Sequence, residues 1–560
     1  MLTTEMDVAV PHAPPRWRAY FGASWAGLVG AVFGLGAALT PSLLPRPAVF
    51  EGILAGIGAV LGYGLGVLLA WAVRKAVPRE PSAAVKRRIW RITIVAAPVL
   101  TVVWVVLGVR WQDDVRRLVG VSAGGAGSIL VIGAIAVATF VVTLGVARAL
   151  RRLAGWLALR LARVIPLRIA GLVATVLIAL GIYWLISGVL FAGFTSLADR
   201  FYAGTNADTV AGISQPTDPA RSGSPASLVS WESLGREGRN FVARGPSPAV
   251  LTAFSGRAAV EPIRIYVGVD TAPDAPSRAA LAVRELERTG AFDRPVLVVA
   301  GTTGTGWLEP QSTDALEYLW NGDTAIVGIQ YSYLPSWIST LVDTQRAADA
   351  GRELFDAVYA RWQELPADDR PQLIAYGLSL GSFSIQSAFA SGADLASRTD
   401  GALLVGSPNF SQPWGDITRF RDAGSPEWQP VYRAGESIRF ASGPPAEALP
   451  SATGSVPRIL YLQHASDPVV WWSTDLIARE PDWLTEPPGP DRSAFMSWFP
   501  VLTFAQVTVD QMVGTSVPNG HGHNYPDAIV SAWSAVVPAP VSSTAESARL
   551  QALIDTYATE

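Results

Sequence analysis

Ser379 stands at the centre of G-L-S-L-G, Gly377 to Gly381. A serine hydroxyl is a poor nucleophile unless a base takes its proton. The chemistry this residue could support is attack on an acyl carbon, with a histidine as base and a carboxylate behind it. The chain has four histidines: His12, His464, His521 and His523. The last two lie in G-H-G-H-N-Y, and Asp467, in H-A-S-D-P-V-V, lies between Ser379 and that pair. Residues 301–307 read G-T-T-G-T-G-W, a loop whose backbone N–H groups could hold an oxyanion.

A serine used this way needs a strand to deliver it and a helix to receive it. The turn between them is tight, which explains glycines two residues on either side. The sequence meets this demand. Residues 372–376 read as a strand, and a helix is expected through 383–390. Further strands are expected at 263–269, 295–300, 324–330, 402–405, 458–463 and 501–509. Helical patterns lie between several of them. One runs from Asp274 to Arg288 and stops at Gly290; another spans 344–362. Strands alternating with helices predict an α/β fold with a mostly parallel sheet and helices on both faces. G-x-S-x-G in that setting points to an α/β-hydrolase domain, whose triad follows the chain order Ser, acid, His.

Asp467 directly follows the strand 458–463 and fits the acid; Asp510 is a weaker substitute. The base should come from the loop after the final strand, which selects His523, with His521 as the alternative. The oxyanion donors should be the N–H of Leu380 and that of Thr302 or Thr303. Aromatic residues cluster after the strands. Trp307, Tyr331, Trp471 and Trp472 are expected to form substrate-binding walls at the carboxyl ends of the sheet. Few charges accompany them, which suits an acyl chain.

Two other readings use the same residues. His464, Asp467, His521 and His523 could converge on a metal, making the serine turn coincidental. The 301–307 loop could cradle a phosphate, but it lacks the Lys-Ser/Thr ending that chemistry needs. No metal and no cofactor is expected.

The rest of the chain sets the location. Half of the 560 residues are hydrophobic and 16% are charged. The net charge of −3 implies no attraction to nucleic acid, and the lack of cysteine excludes disulfides and thiolate chemistry. The apolar residues crowd into the first 200 positions. Charge-free runs at 19–45, 52–73, 92–109, 118–147 and 169–198 predict about five membrane spans. The loops between runs two and three, and between four and five, are rich in Arg and Lys. They should be cytoplasmic, which places the N-terminus inside and the C-terminal half outside. The basic stretch from Arg148 to Arg163 fits either an interfacial helix or a continuation of the fourth span.

The expected organisation is a cytoplasmic tail (1–18), an all-α transmembrane domain (19–198), a Gly-, Ser- and Pro-rich linker (199–226) and an extracytoplasmic hydrolase domain (227–560). The expected partners are the lipid bilayer of the cell membrane and an acyl-ester or lipid-like substrate. The oligomeric state is open.

The soluble half resembles a family of membrane-bound α/β-hydrolases from actinobacteria that carries an N-terminal membrane domain. The likeness rests on I-R-I-Y-V-G-V at Ile263, T-G-T-G-W at Thr303, Q-Y-S-Y-L-P-S-W at Gln330, G-L-S-L-G at Gly377, S-D-P-V at Ser466 and G-H-N-Y at Gly522. It covers roughly residues 227–538. The resemblance implies a hydrolase fold, and it favours His523 because the family's closing motif is looser at the position of His521. It implies no particular substrate. The expected activity is that of a membrane-anchored serine esterase or lipase. The alternatives are acyl transfer on the same triad, a non-catalytic envelope scaffold and a metal-dependent hydrolase.

Overall fold

The computed structural model describes residues 24–77, 82–125, 127–444, 458–539 and 543–557. Contacts divide the chain into two compact units. The first holds α1 (Trp25–Ala38), α2 (Ala48–Ala76), most of α3 (Ala83–Leu118) and α4 (Gly127–Leu161) as far as Leu150. The second holds Pro41–Arg46, Gln112–Ala123 and the described chain from Arg151 onward. It begins its long course with α5 (Leu167–Trp184), a π-helical segment (Leu185–Phe191) and α6 (Ala192–Ala207).

In the first unit α1 packs on α2 with almost no side chain between them. Gly30 lies against the backbone of Gly62, and Gly34 against that of Gly58. Glycines spaced by four let helix backbones meet closely where lipid offers no hydrophobic drive to association. Among the described residues, four helices are long and apolar enough to cross a bilayer: α2, α3, α4 and the continuous run Leu167–Ala207. They mark the chain as membrane-associated.

Four of the five charge-free runs thus correspond to such helices. The first instead carries the fourteen-residue α1. At about 1.5 Å per residue this falls short of a hydrocarbon core of about 30 Å. Pro41 and Pro45 occupy the end of that run and cannot continue a helix, whereas a count of charges ignores them. Its first residues, 19–23, and the tail 1–18 lie outside the described residues. The fourth run becomes helical only at Gly127. Its helix then continues through the basic stretch to Leu161, so residues 148–161 extend the span rather than form a separate helix.

The second unit is built on a seven-stranded, fully parallel sheet. Its strands are β1 (Ile263–Val267), β2 (Val296–Gly301), β3 (Thr324–Ile329), β4 (Gln372–Leu378), β5 (Gly401–Val405), β6 (Ile438–Ala441) and β7 (Arg458–Leu462). The spatial order is β1-β3-β2-β4-β5-β7-β6, which puts β4 at the centre. The inner strands are buried on both faces, as a parallel sheet covered by helices requires. A buried charge sits on the edge strand β1. Arg264 on β1 is 1% exposed and is met by Glu317 at 2.7 Å and Asp314 at 2.5 Å.

The helices that matter for the site are α7 (Ala275–Thr289), α8 (Pro310–Leu319), α9 (Thr344–Gln363), α10 (Leu380–Gln386), α11 (Leu502–Gln511) and α12 (Pro526–Val536). α7, α9 and α10 pack together, and α8 packs with α12. α7 has the ends expected of it: Asp274 accepts from Ser277 N at 2.8 Å, and Gly290 caps it with φ of 67°.

Two strand expectations change. Residues 501–509 are rich in β-branched side chains and were expected as the last strand. They form α11 instead. Leu502, Thr503, Gln506, Val507 and Asp510 are the buried positions, a spacing of three and four that only a helix provides. The short strand β6, four residues long, was not anticipated. The expected linker is also part of the folded unit. α6 runs to Ala207, and Ser222 N donates to Arg264 O at 3.0 Å while Arg264 N donates to Ala220 O at 3.2 Å. Arg221 reaches Glu261 at 2.5 Å, so the segment lies along β1 rather than acting as a free tether.

Candidate active site

Ser379 follows β4 and precedes α10. Its backbone has φ 58° and ψ −130°, a region that costs a non-glycine residue about 1–3 kcal/mol and is concentrated at functional sites. The strain is held by close packing. A Cβ on Gly377 would lie 2.6 Å from Ser382 N, and one on Gly381 would run into the carbonyl of Gly301. The two flanking glycines are therefore needed for close approach, as the tight turn suggested. Ser379 N donates to Val405 O at 2.9 Å, which ties the turn to the end of β5.

Asp467 lies five residues beyond β7 and is fully buried. His523 Nδ1 is 2.7 Å from Asp467 Oδ2. The Tyr525 hydroxyl donates to the same oxygen, and Val469 N donates to Oδ1 at 2.8 Å. An ionised carboxylate only accepts, so Nδ1 carries the imidazole proton and Nε2 is left as the basic nitrogen. Nε2 is buried and makes no hydrogen bond among the described residues. Burial and the neighbouring Asp467 push the Tyr525 phenol well above its ordinary range, so it stays a donor.

The imidazole and the serine turn share one neighbour. The carbonyl of Val405 binds Ser379 N, and the next residue, Gly406, lies under the ring. A Cβ there would be 2.5 Å from His523 Cε1. Ser379 and His523 are 8% and 9% exposed, so both are nearly closed from water.

The two candidate oxyanion positions on the 301–307 loop separate. Thr303 N donates to Trp307 O at 3.1 Å and is occupied. The Gly301–Thr302 peptide lies against Gly381, with Gly301 C 3.0 Å from the Cβ position of that glycine. Leu380 is the first residue of α10, so its N–H has no intrahelical acceptor.

His464 and His521 are engaged elsewhere, and His12 lies outside the described residues. His521 Nδ1 is 3.3 Å from Asp491 Oδ2, and His464 Nδ1 is 2.9 Å from Gly522 O with its ring stacked on Tyr525. Among the described residues no three metal-ligating side chains converge. Asp510 makes contacts of its own, described below, and none with either histidine is seen.

The aromatic walls divide as well. Tyr331 and Trp471 are 2% and 1% exposed and pack in the core. Where Trp471 does reach a cleft, its neighbours there include Arg421, Glu427, Arg479 and Asp482, a polar setting. Trp307 and Trp472 are half-buried; Trp472 packs against Phe504 with the rings tilted, and it donates to Thr508 Oγ1 at 2.8 Å.

Two residues near the site were missed. Tyr525 was visible only as the end of G-H-N-Y. Glu309 caps α8 just beyond the 301–307 loop, and its Oε2 is buried without a hydrogen-bond partner. Burial pushes its carboxyl up to about 7, with nearby His523 pulling the other way. A carboxyl that holds its proton more tightly when folded adds stability below about pH 4.5. That contribution is lost as pH rises through about 7. Glu309→Gln keeps the shape without the charge. It should unfold later than the wild type at pH 8, by on the order of 3 kcal/mol, and the gap should close below about pH 5. Thermal unfolding at a series of pH values checks this; a gap that does not vary with pH would contradict it.

Comparisons with known families agree with the architecture. A model described as an alpha/beta-hydrolase family matches residues 263–550, more than half of the chain. A second, described as the N-terminus of an alpha/beta-hydrolase family, matches residues 39–246. No curated protein and no solved structure matches the chain significantly.

Proposed function

The chain belongs to the alpha/beta-hydrolase family, and from that premise we propose that it is a membrane-anchored serine hydrolase that cleaves acyl esters. The observation that carries this reading is the His523–Asp467 pair, with Nε2 unbonded and the ring against the residue next to Ser379's backbone partner. Ser379 Oγ attacks the acyl carbonyl and forms the new C–O bond, while Nε2 of His523 takes the hydroxyl proton. The N–H groups of Leu380 and Thr302 receive the oxyanion. The C–O bond to the alcohol then breaks, and the imidazolium returns its proton to the leaving oxygen. Water, deprotonated by the same nitrogen, releases the acid and restores the serine. Asp467 holds the ring and stabilises its charged form.

In this reading the Arg- and Lys-rich loops are cytoplasmic and the site faces the outer side of the cell membrane, where esters of the envelope are the substrates at hand. A membrane-impermeant fluorophosphonate applied to intact cells should label Ser379. Labelling only after lysis would move the site to the cytosolic side. A wild-type protein that stays unlabelled in both would sink the serine mechanism.

A further inference from the structure

Asp510 is fully buried near the end of α11, and it does not serve the histidine. Its carboxylate accepts from Ser42 Oγ at 3.0 Å and from Leu43 N at 3.0 Å, and Arg46 Nε lies 3.9 Å away. All three come from Pro41–Arg46, the stretch of sequence between α1 and α2 that belongs to the hydrolase unit. Leu43 and Leu44 have no exposed surface and join its core. Arg46 N donates to Gln112 Oε1 at 2.9 Å, so the last turns of α3 are tied in too, with Val119 just beyond them in the same core.

The segment lies beneath the loop that carries His523. α11 leads directly into that loop. His523 N donates to Gly514 O at 2.8 Å, which closes the loop on itself. Gly522, the residue before His523, has its Cβ position 3.3 Å from Leu44 Cδ1 and 2.6 Å from Gly514 O. Leu44 therefore bears on the loop at the point where the histidine leaves it.

We propose that Pro41–Arg46 is a clamp that positions the catalytic base: Asp510 fastens it to α11, and Leu44 presses on Gly522. The proposal rests on the reading of His523 as the base. It makes Ser42, Leu44 and Asp510 positioning residues, and it makes a segment from the membrane half a working part of the hydrolase.

The test uses the full chain in detergent, with active sites counted by a fluorophosphonate. Leu44→Ala should lower kcat per titrated site by about tenfold or more, since an ångström of misplacement at a reacting group is costly. KM should stay within about twofold. Leu44→Met, which conserves volume, should recover most of the loss. Ser42→Ala should shift kcat per site in the same direction by less. If fewer sites titrate but each turns over at the wild-type rate, the segment only supports the fold and the clamp is overturned. Should Leu44→Ala yield no folded protein, Leu44→Val and Ser42→Ala make the same comparison, and unchanged kcat per site in both overturns it. A wild-type chain that takes no probe on Ser379 would instead remove the hydrolase reading, and the clamp with it.

Discussion

Ser379→Ala is expected to lower ester turnover by about 10⁴-fold or more, with the fold intact. The residue supplies the attacking atom, and no neighbouring hydroxyl can replace it. Ser382, the next serine along, faces Ser407 at 2.7 Å and is fully buried. Asp467→Asn and His523→Ala should cost nearly as much, because the three act as one unit and their losses do not add. His521→Ala is the internal comparison. Its partner is Asp491, not Asp467, so its loss should be small. If His521→Ala proves the inactive variant and His523→Ala the active one, the base has been misassigned. Tyr525→Phe removes one of three donors to the Asp467 carboxylate and should fall between these extremes.

The second large effect is expected from a residue that touches no substrate. At Gly406 an added methyl would lie 2.5 Å from His523 Cε1, 2.9 Å from Nδ1 and 3.0 Å from Tyr525 Cε2. Asp467 holds Nδ1 at 2.7 Å, so the imidazole cannot retreat without straining that bond. Gly406→Ala should displace the ring and lower kcat by about 100-fold, as misplacement of a reacting group does. Gly406 also has φ of 53°, so part of any effect could be backbone strain. Gly424→Ala separates the two. Gly424 has φ of 88° with nothing within 4 Å of its Cβ position. That variant should lose some stability and keep its turnover. Equal kinetic losses in both would mean that strain, and not the collision with the histidine, explains Gly406.

What could be read from the sequence was what local chemistry encodes. The turn at Ser379 announces itself by glycines that no other residue can replace there. The ends of α7 are set by Asp274 and Gly290, and six of the seven strands are apolar runs bounded by turn residues. The positions of Asp467 and His523 followed from chain order. The failures have a different cause. In 501–509, β-branched residues favoured a strand, while burial at a helical spacing decided the matter. Glu309 and Tyr525 act through what surrounds them. Residues 41–45 read as the end of the first charge-free run, because nothing local to them reveals a partner 468 positions away.

That separation also has a consequence for how the protein comes into being. Ser42 leaves the ribosome long before Asp510 is made. At about 5–20 residues per second the wait is roughly half a minute to a minute and a half. Throughout that time Leu43, Leu44 and Val119 lack the core they are meant to fill. Contacts this distant in sequence are slow to close, and unfinished apolar surfaces invite aggregation. The catalytic half therefore cannot ripen strand by strand as it emerges. It matures in one late step, after its last hundred residues have joined a segment laid down near the beginning, and a chain stalled before Asp510 carries the nucleophile without the means to use it.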